Sequence, residues 1–198
     1  MLRIGLTGGI GSGKTTVSDL FHSLYNVPVI DADEISRNLL LPSGRAYQET
    51  IELFGAECLL ESTQIDRKHI RKKIFADDEL RASLEKTIHP KVKDEIEIQI
   101  ESFTSQYCLI VIPLLIESNM QFLIDRILVI DTHIQNQIDR VIARDECSRN
   151  DVENIVTAQL AAEERLRHAN DVIENNGNID DLTRQIHQLH QKYLELTT

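Results

Sequence analysis

The sequence predicts an α/β fold: a five-stranded parallel sheet flanked by helices, with a helical insertion and a lid. Three observations carry this. Residues 8–15, Gly-Gly-Ile-Gly-Ser-Gly-Lys-Thr, satisfy G-x-x-x-x-G-K-[ST] at every fixed position, between a short apolar run at 2–6 and a helical pattern. Residues 107–112 are an unbroken apolar run, the mark of a strand buried on both faces. Residues 45–103 hold helical patterns and no convincing strand, so a helical segment interrupts the strands.

The chain of 198 residues suffices for one well-buried α/β domain with an insertion. Its net charge of −11 argues against general nucleic-acid binding. No apolar run approaches the ~20 residues of a membrane span. The first strand and glycine loop begin at once, leaving no room for a signal peptide, so the expectation is a cytoplasmic protein. Cys58, Cys108 and Cys147 are far apart and outside any C-x-x-C, which reads as reduced structural thiols.

In order, residues 2–7 read as the first strand and 14–25 as a helix with Val17, Leu20, Phe21 and Leu24 on one face. The loop between them is a phosphate cradle. Glycines accept φ > 0 and bring N–H groups close to phosphate oxygens, and the following helix points its positive end there. The ATP-binding set is therefore Gly8, Gly9, Ile10, Gly11, Ser12, Gly13, Lys14, Thr15 and Thr16. Lys14 is expected on the β- and γ-phosphates and the Thr15 hydroxyl on Mg²⁺.

Residues 27–30 form a second short strand ending at Asp31, and a helix opens through Asp33 to about residue 41. Acids there can cap a helix, or act at the carboxyl edge of the sheet, where open α/β folds bind ligands. On that placement Asp33 reads as a base or a water-held metal ligand; Asp31 stands between capping and Mg²⁺ ligation. Residues 42–44 break the chain, and helices are expected at 45–54, 66–75, 77–87 and 90–103, with Pro90 opening the last. The insertion spans about 42–105. Its Arg67 and Arg71, one turn apart in a basic run, fit either a solvated face or an anionic substrate.

After the strand at 107–112 comes Pro113-Leu114-Leu115-Ile116-Glu117, with no acid at the strand's tip. A fourth strand covers 126–131, and a helix at 135–145 carries Arg140 and Arg144 at i, i+4. Ser148 caps a helix to about 160, and a short helix at 161–168 holds Arg165 and Arg167. Residues 171–173 are the last strand, closed by Asn175-Asn176-Gly177; an amphipathic helix at 179–196 ends the chain. A lid is expected over about 134–168. Arg140 and Arg144 either pair with acids such as Asp139 and Glu146, or lie over the phosphates and neutralise transition-state charge. His187 and His190, at i, i+3 without a third ligand nearby, read as surface residues.

These residues together resemble dephospho-coenzyme A kinase. The resemblance rests on the loop with Thr7, on Ile30-Asp31-Ala32-Asp33, Leu84-Glu85 with His89-Pro90, and residues 113–117. It continues through Gln137, Arg140, Arg144-Asp145, Ala158-Gln159 and 172–177, covering nearly the whole chain. It implies transfer of the ATP γ-phosphoryl to the ribose 3′-hydroxyl of dephospho-CoA, the last step of CoA biosynthesis, with Mg²⁺. It implies Asp33 as general base, Lys14 and Arg140 as further catalytic groups, and Arg144, Asn175 and Gly177 at ATP. Dephospho-CoA would lie against Asp33, Arg67, Arg71, His89, Pro113 and Leu114. Asn170 departs from the family's pattern, where Asp commonly follows the alanine. The expected partner is the small-molecule substrate alone, with no nucleic acid or membrane, in a monomer or weak homo-oligomer. Competing readings are a kinase of nucleosides or sugars, a GTP switch, and a non-catalytic nucleotide sensor. The chain has no N-K-x-D motif for the switch, and Asp33, Arg140 and Arg144 are superfluous to a sensor.

Overall fold

A computed structural model describes residues 1–197. Five parallel strands, β1 (Leu2–Gly8), β2 (Val29–Asp31), β3 (Tyr107–Val111), β4 (Arg126–Asp131) and β5 (Asp171–Glu174), form one sheet in the order β2-β3-β1-β4-β5. β1 is central, pairing Leu6 with Val111 on one side and Leu128 on the other. The strand that feeds the glycine loop is thus the most protected one.

Successive strand residues point to opposite faces. On one face Ile4, Leu6, Leu109, Leu128, Ile130 and Ile173 meet α1 (Lys14–Tyr25) and α9 (Ile179–Glu195) through Val17, Phe21, Ile186 and Tyr193. Burial of a side chain of this size stabilises by roughly 1.5–3 kcal/mol, so this cluster fixes the sheet under the loop. Asp171, with its side chain 3% exposed, ties the far edge: Arg126 Nε donates to it at 2.5 Å, Lys192 Nζ at 2.5 Å and the Tyr193 hydroxyl at 3.2 Å. Asn170 offers an acceptor at the start of β5, taking the Ile127 N–H at 2.8 Å. His187 is exposed and His190 half-buried, as the surface reading expects, and both make aromatic contacts. His187 hydrogen-bonds Tyr25 at 2.9 Å, and His190 hydrogen-bonds Tyr107 at 2.7 Å and stacks on Tyr25 at 3.9 Å. Among the described residues no group of three His, Cys, Asp or Glu could hold a metal, and all three cysteines are free.

The chain divides into two compact units, Met1–Asp31 with Phe103–Thr198, and Ala32–Ser102. The helical unit holds α2 (Ala32–Leu39), α3 (Tyr47–Phe54), α4 (Arg67–Ala76) and α5 (Asp78–Glu101). It begins at Ala32 instead of 42 because α2 buries Ala32, Ile35 and Leu39 and packs on α5. The two helices expected at 77–87 and 90–103 are one. Leu84, Ile88, Val92, Ile96 and Ile100, four residues apart, form one buried stripe that runs past Pro90. Pro90 removes one intrahelical bond, but it is exposed, where water can serve the carbonyl left over, and the continuous stripe outweighs the loss. α6 (Ile134–Asp145), α7 (Arg149–Ala158) and α8 (Ala162–Arg167) stand between β4 and β5 in the first unit.

Candidate active site

The glycine loop folds for backbone reasons first. Gly11 has φ +69°, and a Cβ there would lie 2.5 Å from the Gln137 carbonyl oxygen. Gly13 has φ +95°, and a Cβ would collide with Asn175 Nδ2. Only glycine tolerates both demands. Gly13 also precedes α1 without any side-chain cap, so the first amides of α1 face the loop, as an anion site requires. Lys14 Nζ donates to Gly8 O at 2.8 Å and Gly9 O at 3.0 Å, folding back over the loop's first half.

The second half hangs on one carbonyl. Ser12 O accepts from Asn175 Nδ2 at 2.7 Å, Thr132 Oγ1 at 3.1 Å and Arg140 Nη1 at 3.5 Å. Arg140 also donates to Asn175 O at 3.0 Å and Gly11 O at 3.4 Å. Its guanidinium therefore bridges the loop, α6 and the end of β5. Arg144 is placed differently: its fork closes on Asp145 with two bonds of 2.7 Å, on an exposed surface. That bond with Asp145 holds Arg144 above its usual pKa.

Helices α6 and α7 pack directly on the loop. Ile10 lies against Ile138, Val141 and Val152, and its N–H donates to Gln159 Oε1 at 2.9 Å. The segment after β3 reaches the same region: Thr7 Oγ1 donates to Pro113 O at 3.1 Å, and Leu114 is exposed. Glu117 Oε1 accepts the Leu160 N–H at 3.2 Å and lies 3.9 Å from Arg165 Nη2. Burial lowers the Arg165 pKa, against the opposing pull of Glu117 and Asp131.

Asp31 ends β2, and β3 lies between β2 and β1. The tip of β2 is therefore two strand spacings from the loop's strand, roughly 10 Å, instead of adjacent to it. Asp33 follows two residues later, exposed in the first turn of α2. Thr15 and Thr16 are exposed at the start of α1. In the helical unit, Arg67 and Arg71 are exposed on α4, and His89 is half-buried on α5. Burial lowers the His89 pKa, opposed by Glu85. A cleft of about 250 Å³ opens beside the loop, lined by Gly13, Thr16, Arg140, Asn175, Gly177 and Ile179 among others.

This geometry is that of a nucleotide site, and the comparisons specify which. Residues 2–181 match the family of dephospho-CoA kinase. The chain belongs to the dephospho-CoA kinase family. It is 40% identical over 194 residues to the dephospho-CoA kinase of Shewanella oneidensis, covering 98% of this chain and 94% of the relative. It is 39% identical to that of Vibrio parahaemolyticus, covering 98% and 96%. Among solved structures, TT1252 from Thermus thermophilus superposes with a TM-score of 0.86 at 29% identity, covering 96% of this chain and 97% of that one. The dephospho-CoA kinase of Campylobacter jejuni gives a TM-score of 0.68 at 25% identity, covering 99% and 98%. Shikimate kinase from Bacteroides thetaiotaomicron, at a TM-score of 0.54 and 18% identity, shares the fold.

The sequence singled out the loop and Arg140, which the structure brings together, but not Thr132 or the approach of Glu117 to Arg165. The signal for Thr132 is its place just past the end of β4, beside the loop's strand. Among the described residues no helix is long and apolar enough to cross a membrane.

Proposed function

We propose that this chain transfers the γ-phosphoryl group of ATP to the ribose 3′-hydroxyl of dephospho-CoA, the last step of CoA biosynthesis. The supporting observation is a complete phosphate loop, with its carbonyls held by Arg140, Asn175 and Thr132, in a chain matched to this family over residues 2–181.

The triphosphate lies along Gly8–Thr16, where the uncapped amides of α1 and the loop donate to its oxygens. Lys14 Nζ exchanges its contacts with Gly8 and Gly9 for phosphate oxygens, supplying charge where negative charge develops. The adenosine end takes the cleft lined by Asn175, Gly177 and Ile179. Arg140 holds the loop's shape and adds positive charge beside the phosphates; Arg144 joins ATP if its fork leaves Asp145. Dephospho-CoA is assigned to Asp33, Arg67, Arg71, His89, Pro113 and Leu114. Asp33 takes the proton of the 3′-hydroxyl as its oxygen bonds to the γ-phosphorus and the bond to the ADP oxygen breaks.

The residues fit Mg²⁺ bound mainly through substrate. Thr15 offers an exposed hydroxyl at the start of α1, and the described residues hold no protein cage, the usual case for a cation that keeps phosphates and waters as ligands. Bound there with Asp31 as a further candidate, Mg²⁺ would neutralise charge on the phosphates. The chain is read as cytoplasmic and as a monomer or weak homo-oligomer.

ATP consumption assayed over dephospho-CoA, nucleosides and sugars tests the substrate; turnover only with a nucleoside or sugar would refute it. Asp33→Asn is expected to keep ATP binding and lower turnover by about 10²–10⁴-fold. Near-normal kcat would move the base elsewhere, and lost ATP binding would make Asp33 a metal-site or structural residue.

A further inference from the structure

The two halves of the phosphate loop are supported unequally. Ser12 O has three donors from α6, β5 and the end of β4. The first half has Lys14 on the Gly8 and Gly9 carbonyls and Gln159 on the Ile10 N–H. In the proposed reaction Lys14 turns to the phosphates, which leaves Gln159 as the side chain from outside the loop that still bonds its first half. What fixes Gln159 then decides the shape of this half.

Gln159 lies in the turn between α7 and α8, and that turn is clamped from both sides. Glu117 Oε1 accepts the Leu160 N–H at 3.2 Å, and Arg165 Nη2 donates to Leu160 O at 2.7 Å. Arg165 is 5% exposed, and a Cβ on Gly9 would sit 3.6 Å from its Nη1 and 2.5 Å from Gln137 Oε1. The guanidinium thus lies beside the loop as well as bonding the turn. Its charge is poorly answered there: the nearest Glu117 oxygen is 3.9 Å away, and Arg165 Nε and Glu117 Oε2 are buried without hydrogen-bond partners among the described residues. A structural ion pair repays burial only with close, fully bonded geometry, which this pair lacks. A buried, under-bonded arginine against Gly9 is better placed to hold the loop than to stabilise the fold.

We infer that Arg165 is a positioning residue for phosphoryl transfer: anchored beside Glu117, it fixes the Gln159–Leu160 turn and Gly9, and through them the first half of the phosphate loop. This rests on the kinase reading above. It makes Glu117, at the end of the segment that begins with Pro113, the link between that segment and the nucleotide loop. The cost of losing Arg165 therefore falls on ATP and its reactive geometry, while the acceptor's own KM is spared.

The test compares Arg165→Met, Glu117→Gln/Arg165→Met and Arg165→Lys with the wild type. Melting temperature, ATP affinity without acceptor, and KM for each substrate are measured. Arg165→Met leaves the half-buried Glu117 carboxylate without a cation and is expected to melt earlier. The double variant removes both charges and is expected to regain melting temperature, yet to stay about 10–100-fold low in kcat/KM for ATP, the cost of a slightly misplaced reactive group. KM for dephospho-CoA stays within about twofold in that case, as expected when only nucleotide geometry is lost. Arg165→Lys keeps the charge without the fork and is expected to fold as the wild type with the same ATP defect. Wild-type kcat/KM for ATP in a folded double variant or in Arg165→Lys would overturn the inference, reducing Arg165 to a counter-charge for Glu117. If the wild type fails to phosphorylate dephospho-CoA, the substrate reading falls. ATP affinity still judges Arg165: weakened binding in Arg165→Lys supports it, and unchanged binding overturns it.

Discussion

Replacing Arg140 with alanine removes three donor contacts of very different worth. The bond to Asn175 O at 3.0 Å is well formed, whereas those to Gly11 O at 3.4 Å and Ser12 O at 3.5 Å are long. Ser12 O keeps Asn175 and Thr132 as donors. The stability loss is therefore that of one charged hydrogen bond, about 1.5–3 kcal/mol. For a chain of this size each kcal/mol lowers Tm by about 2–4 °C, so Arg140→Ala should melt about 3–12 °C early. The kinetic loss is expected to be larger, about 10²–10³ in kcat, because the same cation supports charge that develops on the phosphates. Arg140→Lys separates the two effects. It keeps the charge but cannot bridge Asn175 and the loop together, so it should recover part of kcat and little of Tm. Thermal melts and steady-state rates at saturating ATP measure both. Unchanged kcat in a folded Arg140→Ala protein would refute the reasoning, leaving Arg140 as a brace between α6 and β5.

Two further outcomes are expected. Lys14→Ala should lower kcat by roughly 10²–10³ with the fold intact, since it deletes a preorganised cation, and wild-type turnover would contradict the loop assignment. Burial alone would raise the Asp171 pKa, but hydrogen bonds from Arg126 and Lys192 outweigh it and hold it below its ordinary value of 3.8. Its stabilisation is then complete above 3.8 and is lost as pH falls through the lower folded value. Asp171→Asn should be less stable at neutral pH and should lose this acid-side slope; a parallel stability–pH curve in urea titrations would place the slope in other carboxylates.

All five strands were legible because four end within about two residues of apolar runs that the parallel sheet buries, and the fifth is marked by the turn after it. The order of those strands was not. Pairing is a backbone property, so nothing in 27–31 shows that β3 would separate β2 from β1 and set Asp31 two strands from the loop. The break expected at Pro90 follows local propensity, which the stripe from Leu84 to Ile100 overrides. Arg165 was hidden for a related reason. It stands among Glu163, Glu164 and Arg167, the look of a solvated helix, and only tertiary placement against Gly9 and Glu117 buries it.

The Ser12 carbonyl marks the boundary between what side chains announce and what backbone decides. Its donors stand 120, 128 and 163 residues further along the chain, on three separate elements. Arg140 could be singled out from sequence because arginine is the residue type expected near phosphate, but its bonds are to peptide oxygens, which leave no trace in a motif. The same holds for Asn175, whose side-chain amide occupies the space a Cβ on Gly13 would need. The last glycine of the loop, Gly13, is therefore required twice, by its positive φ and by the approach of Asn175. A substitution of Gly13 by alanine would disturb the end of β5 as well as the loop, and with it the cleft between Asn175 and Gly177. The glycine loop and α6 are thus coupled through one peptide plane: whatever shifts α6 moves Arg140, and with it the loop.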